Sequence, residues 1–211
     1  MPNTNTKVFT REGYGQVEPN QLSAQKTGQI YASLPLDKAV KVLQNGEFMY
    51  YDYATNMVTA GDTNTIGEPM LVFNEIKLYE PFWQTSYKDF AMIRVGDNYV
   101  TSRRATAEYG ENSDKEQAAT IDPAHVEYGY RMDGIAPRLF KTNVGDVYTT
   151  NMVETGTDIE YKQGDTLTLK KTNRNTLELS KTGDINTIKF IVAKVYTMPD
   201  GQPGLKIQRV Q

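Results

Sequence analysis

The chain has 211 residues, a formal net charge of −3, one histidine and no cysteine. That length allows one large β domain or two small ones, and it can bury roughly 70% of the unfolded surface without a covalent or metal staple. The missing cysteines exclude disulfides and thiolate metal sites, and a pI near 5.3 argues against a nucleic-acid binder, which is usually basic.

Residues 1–30 read MPNTNTKVFTREGYGQVEPNQLSAQKTGQI. They contain no apolar h-region of a signal peptide, and no later run approaches the 18 apolar residues of a membrane-spanning helix. The stretch shows neither a helical nor an alternating period. It holds a few spaced apolar anchors, among them Phe9, Tyr14, Val17 and Leu22. Alone, so few anchors do not offset the entropy of ordering the chain. The expectation is an extended N-terminal arm that orders only against something else; the alternative is a solvated tail.

The packed region begins near Leu36. KAVKVLQNGEFMYYDY reads as a strand, an Asn45-Gly46 turn and a second strand, because Asn-Gly tolerates φ > 0 at both turn positions of a hairpin. Met57-Val58 and Leu71-Val72-Phe73 are further short strands, with Ile76–Tyr79 continuing or pairing with the latter. Phe82 and Trp83, the only tryptophan, form an aromatic pair after Pro81; the pair reads either as a contact patch or as core. Residues 91–100 read as another hairpin.

From Glu108 the pattern breaks. Six acidic residues up to Glu127 meet a single Lys115, with no strand period, so 108–133 reads as a long loop insertion; Ser113 and Glu116 have the spacing of a capping box. From residue 143 onward, short runs rich in Thr, Val, Ile, Leu and Tyr alternate with Gly-Asp, Asn-Arg-Asn and Pro-Asp-Gly breaks, the pattern of a small antiparallel barrel or sandwich. IKFIVAKV (188–195) is apolar on both period-2 faces and therefore predicts a central strand. Charge is uneven: residues 1–140 carry 13 basic and 18 acidic side chains, residues 141–211 carry 10 and 8. The fold class expected is all-β, built of antiparallel β-sandwich or barrel modules, with an arm (1–30), a β domain (31–140) carrying the 108–133 insertion, and a small β module (141–211).

Little in the chain points to catalysis. His125 is the only histidine and lies in the acidic stretch, where Asp122 and Glu127 are its nearest acids; a solvated loop histidine is the simpler reading. Neither a G-x-S-x-G elbow nor a Gly-rich phosphate loop is present. Paired carboxylates for glycoside hydrolysis are not excluded, but many acids sit in Gly-Asp pairs (61–62, 96–97, 145–146, 164–165, 183–184). Such pairs make tight turns closed by a side-chain bond to the backbone. No catalytic, metal or cofactor site is expected. Of the 22 aromatic residues 14 are Tyr, a residue suited to half-buried strands and interfaces.

The order of features then carries a resemblance. The arm is followed by Gln44-Asn45-Gly46-Glu47-Phe48, by Pro137-Arg138-Leu139-Phe140 with Val144-Gly145-Asp146-Val147-Tyr148-Thr149-Thr150-Asn151, and by the Tyr161–Leu169 strand with its Gly-Asp turn. Over most of residues 30–211 this layout resembles the capsid decoration (cement) proteins of tailed bacteriophages. The resemblance implies a non-enzymatic virion protein, made in the host cytoplasm, that binds the major capsid protein on the outer shell surface and stabilises the shell. It also implies a homo-oligomer, with a trimer favoured, and neither nucleic acid nor membrane as partner. The interface residues expected are Phe9, Tyr14, Val17, Leu22, Phe82 and Trp83. Alternatives are another phage assembly part (tail tube, baseplate or fibre) or a carbohydrate-binding β module.

Overall fold

The structure is a computed structural model that describes residues 9, 11, 15–37, 39–40, 42–62, 65–74, 92–94 (backbone), 136–198 and 202–211. Ile76–Tyr79, the hairpin beyond residue 94 and the 108–133 stretch lie outside the described residues.

The described chain is all-β. Its strands are β1 (Val17–Gln21), β2 (Ile30–Tyr31), β3 (Val42–Gln44), β4 (Phe48–Asp52), β5 (Met57–Thr59), β6 (Met70–Val72), β7 (Met92–Arg94), β8 (Leu139–Phe140), β9 (Val147–Thr150), β10 (Thr166–Lys171), β11 (Leu177–Ser180), β12 (Ile185–Thr197) and β13 (Pro203–Arg209). The one helix described, α1 (Ala24–Thr27), is a single turn. One antiparallel sheet runs β1-β9-β13-β12-β10-β11-β4-β6-β8-β2, with β5 on β4; β3 and β7 pair separately.

This sheet is strongly curled. The rings of Phe48 on β4 and Phe190 on β12 lie 5.5 Å apart, although β11 and β10 stand between those strands. In a flat sheet three strand spacings would separate them by about 14 Å. The concave side holds the core: Phe48, Leu71, Phe140, Tyr148, Leu167, Leu177, Phe190 and Ile207 are wholly buried.

The curl also brings the sheet's two ends together. β1 and β2 are its outermost strands, yet only residues 22–29 separate them in the chain, and β9 and β8, their partners, are joined by residues 141–146. These two links run side by side. Ser23 donates N–H and Oγ–H to the Asp146 carboxylate, both at 3.0 Å. Asn143 Nδ2 donates to Ser23 Oγ at 2.7 Å and to Gln29 Oε1 at 3.0 Å, and Lys141 N–H donates to the Gln29 carbonyl. The residues read from sequence as lacking any period thus form a strap along a seam in the sheet. Pro19, which has no N–H, suits the outermost strand.

One device recurs at the corners. In Gln44-Asn45-Gly46-Glu47, Asn143-Val144-Gly145-Asp146 and Lys162-Gln163-Gly164-Asp165 the third residue is a glycine with φ of +91°, +98° and +92°. Each fourth N–H donates to the first carbonyl, which makes a type II turn. The fourth carboxylate then accepts the first N–H, at 2.7, 2.8 and 2.8 Å. The glycine N–H and the acid's carbonyl bond to one residue on another strand: Val72, Arg209 and Val192 respectively. Each turn therefore plugs into a strand remote in sequence.

One sequence expectation needs correction. The Asn45-Gly46 turn exists, but it joins no hairpin: β3 pairs with β7, whereas β4 pairs with β5, β6 and β11. The turn is bonded to β6 instead, and Asn45 extends that docking, its Oδ1 accepting Asn74 N–H and its Nδ2 donating to Asn74 O. β12 is central, between β10 and β13, as its apolar run predicts, and its Ile188–Phe190–Val192 face is the buried one. Its other face meets water, as one side of an antiparallel sheet often does.

Candidate functional site

Each of the three turn carboxylates is held by more than one donor, and each reaches a second segment of the chain. Glu47, with no exposed side-chain surface, accepts Arg174 Nη2 at 2.6 Å and Thr176 Oγ1 at 2.8 Å. Burial pushes its carboxyl above the usual carboxylate range, against the opposing pull of Arg174 and the Gln44 N–H. Asp146 takes Ser23. Asp165 pairs with Lys181 at 2.9 Å; burial would raise its carboxyl, but the bonds from Lys181 and the Lys162 N–H win and hold it below the usual range. Glu154 is held likewise by Lys170, Ser180 and Thr182. In chemical terms these carboxylates brace the fold.

The arm residues singled out from sequence sit on this braced body. Phe9 is 2% exposed and packs edge-on against Tyr161, centroids 5.4 Å apart. Leu22 is 3% exposed, and Val17, half-buried, pairs with Thr150. Between them the arm is clasped: Gly15 N–H donates to Gln44 Oε1, Gln16 N–H to Asn151 Oδ1, and Thr150 Oγ1 to the Gln16 carbonyl, all at 2.7 Å. Arg11 Nη1 donates to Met152 Sδ beside Glu47, Arg174 and Glu178. A Cβ on Gly15 would overlap the Asn45 carbonyl and the Met152 methyl. Phe9 and Leu22 are therefore seated in the chain's own core. Tyr14, Phe82, Trp83 and His125 lie outside the described residues.

An open groove of about 470 Å³ lies at the tip of the β4–β5 hairpin. Tyr51 and Tyr53 stand ring edge to ring face, centroids 5.2 Å apart. Tyr53 is 69% and Ile66 92% exposed. Asp52 and Asp62 add two carboxylates: Asp52 accepts Ala54 N–H and Thr55 Oγ1, and Asp62 accepts Thr65 Oγ1. Aromatic and aliphatic surface beside carboxylates can receive an apolar side chain together with a cation. Sequence reading passed over this groove because Tyr53, Asp62 and Ile66 come from turns without periodicity.

No family model matches the chain, and neither a curated protein nor a solved structure is similar to it.

Proposed function

We propose that this is a non-enzymatic β protein that works by contact. More particularly, it is a capsid decoration protein of a tailed bacteriophage: it binds the major capsid protein on the outer shell surface, as a homo-oligomer, and stabilises the shell.

The observation that supports this reading is how charge is used. Glu47, Asp146, Glu154 and Asp165 each accept donors from other segments, so acidity, buried at Glu47 and Asp146 and partly exposed at Glu154 and Asp165, ties the curled sheet and its strap into one braced unit. A protein that reinforces a shell needs such a body, together with exposed surface for its neighbours, and the Tyr53–Ile66 groove is surface of that kind.

Sedimentation with undecorated shells tests the reading. Saturable binding at micromolar protein, with shells that then break at a higher temperature, is the expected result. Shells that sediment bare, or turnover of any glycan or ester by the purified protein, would overturn it.

A further inference from the structure

The solvent face of β12 and β13 carries a local conflict. Lys194 stands directly opposite Lys206, while Ile188, Phe190, Val192, Leu205 and Ile207 fill the core side. The rows alongside place Ile191 opposite Gln208 and Tyr196 opposite Gly204. Lys206 also pairs with Thr149, which faces Glu18 on β1, but the Glu18 carboxylate is taken by Tyr196 Oη–H at 2.5 Å. Among the described residues, no acid forms an ion pair with Lys189, Lys194 or Lys206; the ion pairs there use Lys170, Arg174, Lys181 and Arg209. Like charges directly opposed across a ladder destabilise the pair, and a local rule broken without a gain inside the fold is a mark of function.

The complement is on the same chain. The β4–β5 groove presents Asp52 and Asp62 around exposed Tyr53 and Ile66. Three of the six exposed large apolar side chains among the described residues, Tyr53, Met57 and Ile66, lie at or beside the groove, Met57 being paired with Asp52. One copy cannot join the two surfaces. Tyr50, which touches the groove residue Gly61, bonds to Thr187 near the start of β12. Lys194 lies seven residues further along that strand, about 23 Å away at ~3.3 Å per residue.

We propose that copies of this chain associate head to tail, the Lys194–Lys206 face of one docking on the Asp52–Asp62 groove of the next. The proposal rests on the self-association in the reading above and gives it an interface. Such a contact joins two different patches, so it closes into a ring or extends as a chain. Its exposed charges make it sensitive to salt, because the screening length is about 8 Å at physiological ionic strength.

Sedimentation velocity on the full chain, with two variants, tests this. Lys194→Glu removes the basic face and replaces a repulsion by an attraction within the sheet, so it should melt no lower than wild type while association weakens about tenfold or more. Tyr53→Ser/Ile66→Ser removes the groove's apolar anchors. Each variant alone should be monomeric where wild type is assembled. An equimolar mixture should form a dimer and nothing larger, since each variant keeps one half of the junction. Wild-type association unchanged by Lys194→Glu, or a mixture that stays monomeric, would overturn the inference and leave shell binding standing. A wild type that is monomeric at every concentration overturns it too, and if shells also sediment bare the functional reading fails with it.

Discussion

The Arg174 guanidinium donates through Nη2 to Oε1 of Glu47, at 2.6 Å, a carboxylate with no exposed side-chain surface. Three donors share that carboxylate, from the Gln44 backbone, Arg174 and Thr176. A buried charge is tolerable only while its partners stay. Arg174→Met should therefore cost about 3 kcal/mol of unfolding free energy. Glu47→Met/Arg174→Met should lose less than the two single changes added together. Urea denaturation of the four proteins measures both.

The turn device separates conformational strain from crowding. Gly164 and Gly46 have nearly the same φ, +92° and +91°, but a Cβ on Gly164 meets nothing within 4 Å, whereas one on Gly46 meets Met152 Cβ and Thr150 Oγ1 at 2.6 Å. Gly164→Ala should cost about 1–2 kcal/mol, the penalty of a left-handed L-residue. Gly46→Ala should cost clearly more, because backbone-linked atoms must also move. Thermal melts in parallel show the gap; equal losses would mean that the Met152 segment yields freely.

Acid stability should carry opposite contributions from two carboxyls. Asp165, held below its ordinary 3.8 by Lys181 and the Lys162 N–H despite burial, contributes stability that is present above that pH and lost as pH falls through the folded value. Glu178, pushed above 4.5 by burial, gains a proton more readily folded than unfolded. Its contribution therefore grows as pH falls from its raised value towards 4.5. Asp165→Asn should flatten the loss of stability below pH 4, and Glu178→Gln should flatten the gain above 4.5, in denaturation curves taken across that range.

Truncation tests the seam. Deleting residues 1–31 takes away both outermost strands together with Leu22 and Ala24 from the core, and bares the edges of β8 and β9, which invites pairing with other chains. Aggregation on size-exclusion chromatography is expected. The milder Leu22→Ala should cost about 2–5 kcal/mol with the protein still soluble.

Sequence carried the C-terminal strands well, because β-branched runs between Gly-Asp and Asn-Arg-Asn turns leave few alternatives to an antiparallel ladder. It was weaker where partners decide. Val17–Gln21 reads VEPNQ, with nothing to announce a strand; it is one because β9 offers it a ladder and Pro19 needs only an outer edge. Asn45-Gly46 announced its turn, but docking onto Val72 is a tertiary bond that local propensity does not encode. The Gly-Asp and Gly-Glu turns were legible one by one; that three of them share an N–H-to-carboxylate closure and a plug into a distant strand was visible only in the fold. On β12, apolar residues on both faces pointed to a central strand, and β10 and β13 do flank it; that Ile188, Phe190 and Val192 take the buried face follows from the curl, which the sequence does not show.

The seam has a mechanical consequence. β1 and β13 flank β9 and run parallel to each other, since each is antiparallel to it. Val17 lies level with Leu205, and Gln21 level with Gln208. Tension applied between residue 17 and residue 209 therefore pulls along the strands in opposite senses. It shears the β1–β9 and β9–β13 ladders and loads their hydrogen bonds together, instead of peeling them one at a time. Stretched between those two residues, the protein resists as a rivet does.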